Sequence, residues 1–201
     1  MSDHRITLAE VQEARRLFEE NEPRDLFYRA ATELVDLALK RSTSLTVSEA
    51  LAVLLQTWNR EYYRFRKFDA QHFSEVANLL AKHQEALLRF RPARIETLSQ
   101  HEETNVPDLF QAFETVLGPV GAAKALHLLA PRVFPLWDRA IAKAYKLALA
   151  VAGSNGDRYS RFMRIAREQC LELAGHGKLE VNPLKAVDEY NYCKYTKGWL
   201  K

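Results

Sequence analysis

Apolar residues recur at three- and four-residue spacing along most of the chain, the period of a helix that turns one face to a core. Over 8–20 the stripe is Leu8, Val11, Ala14 and Phe18, and over 25–40 the apolar positions are Leu26, Phe27, Ala30, Ala31, Leu34, Val35 and Ala38. Thr46-Val47-Ser48-Glu49 places a Thr N-cap three residues before a Glu, a capping box, ahead of a strongly apolar run from Val47 to about Trp58. That run predicts a buried central helix. Further helices are predicted over 71–90, from Pro107 to about Leu117, from Ala122 to Ala130, from about Arg139 to Ala150, and over 158–174. Gly118-Pro119-Val120-Gly121 reads as a tight turn, and Pro135 keeps 133–137 out of any helix. The tail, 175–201, is mixed and aromatic. No strand-period segment exceeds four or five residues, and neither a solenoid-length repeat nor a low-complexity tract is present. The expected architecture is all-α: an orthogonal bundle of eight or nine helices forming one domain over 1–201, or two helical subdomains with a cleft between them.

Composition adds exclusions. At 47% hydrophobic and 27% charged, the 201 residues form an ordinary globular chain and not a disordered one. No apolar run approaches the roughly 18–20 residues of a membrane span. The opening Met1-Ser2-Asp3-His4-Arg5 does not read as a signal peptide. Cys170 and Cys193 cannot build a disulfide framework. The expectation is a reduced, cytoplasmic protein without a membrane or an obligate protein partner. The net charge of +3 is unevenly placed: residues 131–201 carry 13 Lys/Arg against 7 Asp/Glu, and residues 1–130 carry 16 against 19. A basic C-terminal third fits a polyanion partner or simply a solvated surface.

Most familiar site signatures are missing. There is no Walker A loop, no dinucleotide-binding glycine fingerprint and no Cys-x-x-Cys, and the six histidines (4, 72, 83, 101, 127, 176) are scattered. No metal or other cofactor is expected. The informative stretch is Phe110 to Tyr145, FQAFETVLGPVGAAKALHLLAPRVFPLWDRAIAKAY. It reads helix, glycine turn, short helix, proline-bounded loop, aspartate, helix. A glycine-bracketed turn aims the first backbone N–H groups of the second helix outward, where they and the positive end of the helix dipole attract phosphate. Gly118, Val120 and Gly121 would then grip a duplex without reading bases, with Gly121 admitting the sugar–phosphate backbone closely.

This stretch resembles the helix–hairpin–helix DNA glycosylase superfamily, the group of endonuclease III and the 8-oxoguanine glycosylases, and within it the smaller bacterial 8-oxoguanine-glycosylase-like branch. The matching elements are Leu117-Gly118-Pro119-Val120-Gly121, Lys124 and Asp138. A weaker echo is Leu54-Leu55-Gln56-Thr57-Trp58-Asn59, similar to the helix end where these enzymes carry a Gln near the lesion. Two departures stand out: the lysine falls three positions after the second glycine rather than two, and Pro119 replaces the first turn glycine. The resemblance implies base excision on double-stranded DNA, with or without AP lyase activity. Lys124 would be the amine that attacks the anomeric carbon, and Asp138 would stabilise the oxocarbenium charge and help deprotonate the amine. His127 or Arg139 could be the cation that lowers the lysine pKa.

Other positions have two readings. Asp138 directly precedes a helix, so it can cap as well as catalyse. Trp137 and Phe134 can wall a base pocket or pack in the core. Gln56, Trp58 and Asn59 can reach a pocket or simply finish a helix. Arg158, Arg161, Arg164 and Arg167, at three-residue spacing, make a phosphate-contacting stripe or a solvated face, and Arg139 and Lys143 extend the basic surface. The aromatics and lysines of 190–201 clamp nucleotides or dock the tail. Two further functions are compatible with this pattern: a helix–hairpin–helix DNA-binding protein without chemistry, and a helical protein–protein interaction module.

Overall fold

A computed structural model describes residues 5–175 and 182–201, so His4 and His176 lie outside the described residues. Among the described residues the chain is all-helical, with nine α-helices of six residues or more. They are α1 (Leu8–Asn21), α2 (Asp25–Leu39), α3 (Val47–Trp58), α4 (Ala70–Lys82), α5 (Gln84–Phe90), α6 (Val106–Leu129), α7 (Arg139–Ala144), α8 (Gly156–Gly175) and α9 (Pro183–Asn191). The fold is an all-α multi-helix bundle, and among the described residues no helix is long and apolar enough to cross a membrane.

Local chemistry accounts for the boundaries. Thr7 and Thr46 close reciprocal capping boxes with Glu10 and Glu49 at the starts of α1 and α3. Asp69 caps α4 through the His72 N–H. α6 ends against Arg91, whose guanidinium donates to the Leu128 and Leu129 carbonyls at 2.6 and 2.9 Å and pairs with Asp36. The side chain thus satisfies acceptors that a helix end leaves free.

Three expectations are corrected. The predicted 71–90 helix is two, parted at His83. The helix expected from Arg139 to Ala150 stops at Ala144, because Lys146 adopts φ 60°, outside helical space. The tail contains α9, started by Asn182 as N-cap with Pro183 after it, and then a π-helical turn over Tyr192–Lys197.

The core is one contiguous cluster around α6. Phe110 stacks on Tyr159 with ring centroids 4.1 Å apart, and Trp137 packs against Phe110, Tyr159 and Phe162. α2 packs along α3, α8 against α6 and α9, and α1 against α9, which brings both ends of the chain to one side of the bundle.

Candidate active site

Gly118 breaks α6 with φ 69° and ψ 167°, a conformation open to glycine and strained for other residues. Pro119, with its fixed φ and no N–H, then starts the second half, where a helix tolerates it. Both glycines face side chains. A Cβ at Gly118 would lie 3.0 Å from the Tyr62 ring, whose hydroxyl donates to the Val116 carbonyl at 2.9 Å. A Cβ at Gly121 would lie 2.6 Å from Asn59 Nδ2, and the Asn59 amide donates to the Leu117 carbonyl at 3.4 Å. Asn59 thus fills the space on the Cβ side of Gly121, and Gly121 also lines the adjoining cleft. Pro119 and Val120 are half-buried on the rim of the adjoining cleft.

Of the ten positions from Gly121 to Ala130, all are buried except Lys124. Its ammonium donates to the Trp58 carbonyl at the end of α3 and lies 5.4 Å from the Trp58 ring centroid. Burial lowers its pKa to about 8, against the opposing attraction of Asp138, and Arg24 lowers it further. The cationic neighbour is thus Arg24, not His127 or Arg139. Asp138 precedes α7 in an extended conformation. Its Oδ1 accepts the Ile141 N–H at 2.8 Å, the geometry of an N-cap, and its Oδ2 accepts the Thr196 hydroxyl at 2.7 Å.

Lys124 and Asp138 line two adjoining cavities. The larger, about 980 Å³ and open, runs between the end of α3 (Gln56, Trp58, Asn59), the α6 break and Arg139 at the start of α7. The smaller, about 350 Å³, extends toward α9 and the π-helical turn. Arg24, Trp58 and Thr196 also line both.

Two other candidates lie in the core. Phe134 is fully buried, edge-on to Phe90 at 5.1 Å, so it is not a cleft wall. His127 is fully buried because the second half of α6 is packed around nearly its whole circumference. Its Nε2 faces the Tyr28 hydroxyl at 2.9 Å and its Nδ1 the Phe134 carbonyl at 2.7 Å, which leaves no nitrogen for substrate. Burial drives its pKa down to about 3, so the ring is neutral. Trp137 is 1% exposed and touches the smaller cavity while its ring packs in the core.

The basic candidates divide. Arg139 and Lys143 are exposed on α7, and Arg161 is exposed on α8. Arg158 donates weakly to the Ser154 carbonyl at 3.4 Å. Arg164 and Arg167 both pair with Glu103, at 3.5 and 2.5 Å. The arginine stripe is therefore partly neutralised within the protein. Sequence reasoning missed Arg24, Asp188 and Thr196, which reach the cavities from the two ends of the chain. The Asn182-Pro183 helix start was the one available signal for α9.

The chain matches no protein-family model, and comparison with curated proteins and with solved structures finds no match either.

Proposed function

We propose that this protein is a DNA base-excision glycosylase acting on a damaged or modified base in duplex DNA, with an AP lyase step carried by Lys124. One observation carries the reading: an amine whose pKa burial lowers to about 8 and an oriented carboxyl group line the same pair of cavities. A lysine that loses its proton near pH 8 supplies a free amine at working pH. The amine adds to C1′ of the sugar as the glycosidic C–N bond breaks. The leaving base takes up a proton, and Asp138 stabilises the developing sugar cation and receives the proton of the amine. The amine now bonded to C1′ then expels O4′, which takes back the proton from Asp138 as the ring opens, to give the iminium, and loss of a C2′ proton eliminates the 3′ phosphate. Arg139, exposed at the cleft, and Lys143, exposed one turn further along α7, supply phosphate contacts.

The test is incubation with duplexes carrying oxidised, alkylated or deaminated bases, with borohydride trapping of the imine. Trapping is expected to vanish in Lys124→Ala, and base release to fall about 100-fold or more in Asp138→Asn. Absence of release and trapping across the panel overturns the proposal.

A DNA-binding protein without chemistry is the second reading. The engagement of the Lys124 amine by the Trp58 carbonyl favours it. It requires duplex affinity unchanged in Asp138→Asn together with no base release from the wild type.

A further inference from the structure

A third cavity, about 250 Å³ and open, lies where the end of α2, the start of α3, the second half of α4 and α5 converge on the end of α6. Its lining is apolar apart from Ser48 and Gln84. Leu88, on its wall, is 52% exposed, although a large apolar side chain gains by leaving water. Ser48 lies about 15 Å along α3 from Trp58, so this groove is a separate place from the cleft at Lys124.

Periodicity and charge define what fits there. Ala77, Ala81, Gln84 and Leu88 follow one another at four-, three- and four-residue steps, so the seam carries from α4 into α5 across the break at His83. A seam with that period accepts another helix, whose own side chains at the same spacing fill it. At 250 Å³ the cavity is smaller than the roughly 300–1,000 Å³ of small-molecule sites and suits a few anchoring side chains instead.

The rim is basic. Lys40 and Arg41, both exposed, directly follow the lining residue Leu39, and exposed Lys82 directly follows Ala81. None of the three has an ionic partner among the described residues. The other charges are engaged: Asp36 pairs with Arg91, Glu49 closes the capping box with Thr46, and Arg89 attracts Glu102. Among charges next to lining residues, three free cations thus stand against Glu85.

We propose that this groove docks an acidic amphipathic helix of a partner protein, its apolar side chains seated along the Ala77–Leu88 seam and its carboxylates meeting Lys40, Arg41 and Lys82. The surface is independent of the base-excision reading. Apolar anchors supply the affinity, and the unmatched cations select the sign of the partner's charge.

The probe is a stapled helical peptide of about 16 residues with leucines at i, i+4 and i+7 and glutamates on the flanking positions. Titrated into the 15N-labelled protein, it is expected to shift the amide resonances of Ala77, Ala81 and Leu88. It is expected to bind about tenfold or more tighter than the same peptide with lysines in place of the glutamates. The double variant Lys40→Glu with Lys82→Glu is expected to invert that preference, and Leu88→Glu to weaken both peptides about tenfold. All three positions are exposed or half-exposed, and circular dichroism matching that of the wild type establishes that the variants fold. Equal affinity for the two peptides, shifts confined to the cleft at Lys124, or no shift up to about 1 mM peptide overturns the proposal. Sedimentation that shows a wild-type dimer dissociated by Leu88→Glu assigns the groove to a second copy of this chain and overturns it equally.

Discussion

The Thr196 hydroxyl donates to Asp138 Oδ2 at 2.7 Å across 58 positions of sequence. The other oxygen of the same carboxyl caps α7. Both oxygens are thus held in one orientation, beside the cavities that Lys124 also lines. Thr196→Val keeps the shape and removes the donor. It is expected to lower base release about fivefold, the worth of a hydrogen bond of ~1 kcal/mol, with duplex affinity unchanged. Single-turnover excision with parallel binding measurements checks it. In Asp138→Ala the same threonine substitution is expected to have no further effect on rate, and the lost cap is expected to lower stability by ~1 kcal/mol.

The close approach of Gly121 to Asn59 makes a second prediction. Gly121→Ala brings a methyl group to 2.6 Å from Asn59 Nδ2 and is expected to destabilise by ~1–3 kcal/mol. Gly121→Ala with Asn59→Ala removes the obstructing amide and is expected to recover part of that loss. Urea unfolding of the four proteins gives the coupling.

Lys124 makes stability depend on alkali. Its pKa is about 8 in the folded chain and near 10.4 once unfolded. Below pH 8 the folded state holds a buried ammonium at a cost, and the cost fades as pH rises from about 8 to 10.5. Lys124→Met is therefore expected to be more stable than wild type by ~1–3 kcal/mol at pH 7, with the difference disappearing by pH 10.5. Thermal unfolding across that range tests it.

His127 acts at the acid end. The folded ring resists protonation down to about pH 3, while the unfolded ring takes up a proton near pH 6.5. Its contribution to stability is complete above pH 6.5 and is lost as pH falls toward 3. His127→Gln is expected to be less stable at pH 7, through disturbed bonds to Tyr28 and the Phe134 carbonyl, and to show a shallower loss between pH 6.5 and 4. Urea midpoints across that range measure it.

Under the proposed function, the basic residues are expected to separate in salt titrations of duplex binding. Arg139→Ala and Lys143→Ala are each expected to reduce the slope of log affinity against log salt by about 1, the signature of a lost phosphate contact. Arg164→Ala and Arg167→Ala, whose charges already face Glu103, are expected to change it far less.

Helix periodicity and capping residues made most of the bundle legible. α1, α2 and α3 follow from apolar spacing and the Thr46–Glu49 box, and the α6 break follows from Gly118-Pro119. Asp138 was marked by its place before a helix and is an N-cap, whereas the tight turn expected over 118–121 is a one-residue break at Gly118, with helix resuming at Pro119. The environment was not legible. His127 and Phe134 lie in the same stretch and are core residues, since packing around α6 comes from helices distant in sequence. Arg24, Asp188 and Thr196 meet the cleft only through the docking of α9 and the π-helical turn near α1, and no local period encodes such a meeting.

The solitary opening at Lys124 in an otherwise enclosed stretch has a consequence for how this arrangement could change over time. Each step along a helix swings a side chain by about 100°. An ammonium moved to position 123 or 125 would be driven among apolar neighbours, with no carbonyl of Trp58 to meet it. A shift of one residue between the bend and the amine therefore takes the ammonium off the Trp58 carbonyl unless the bend is rebuilt with it.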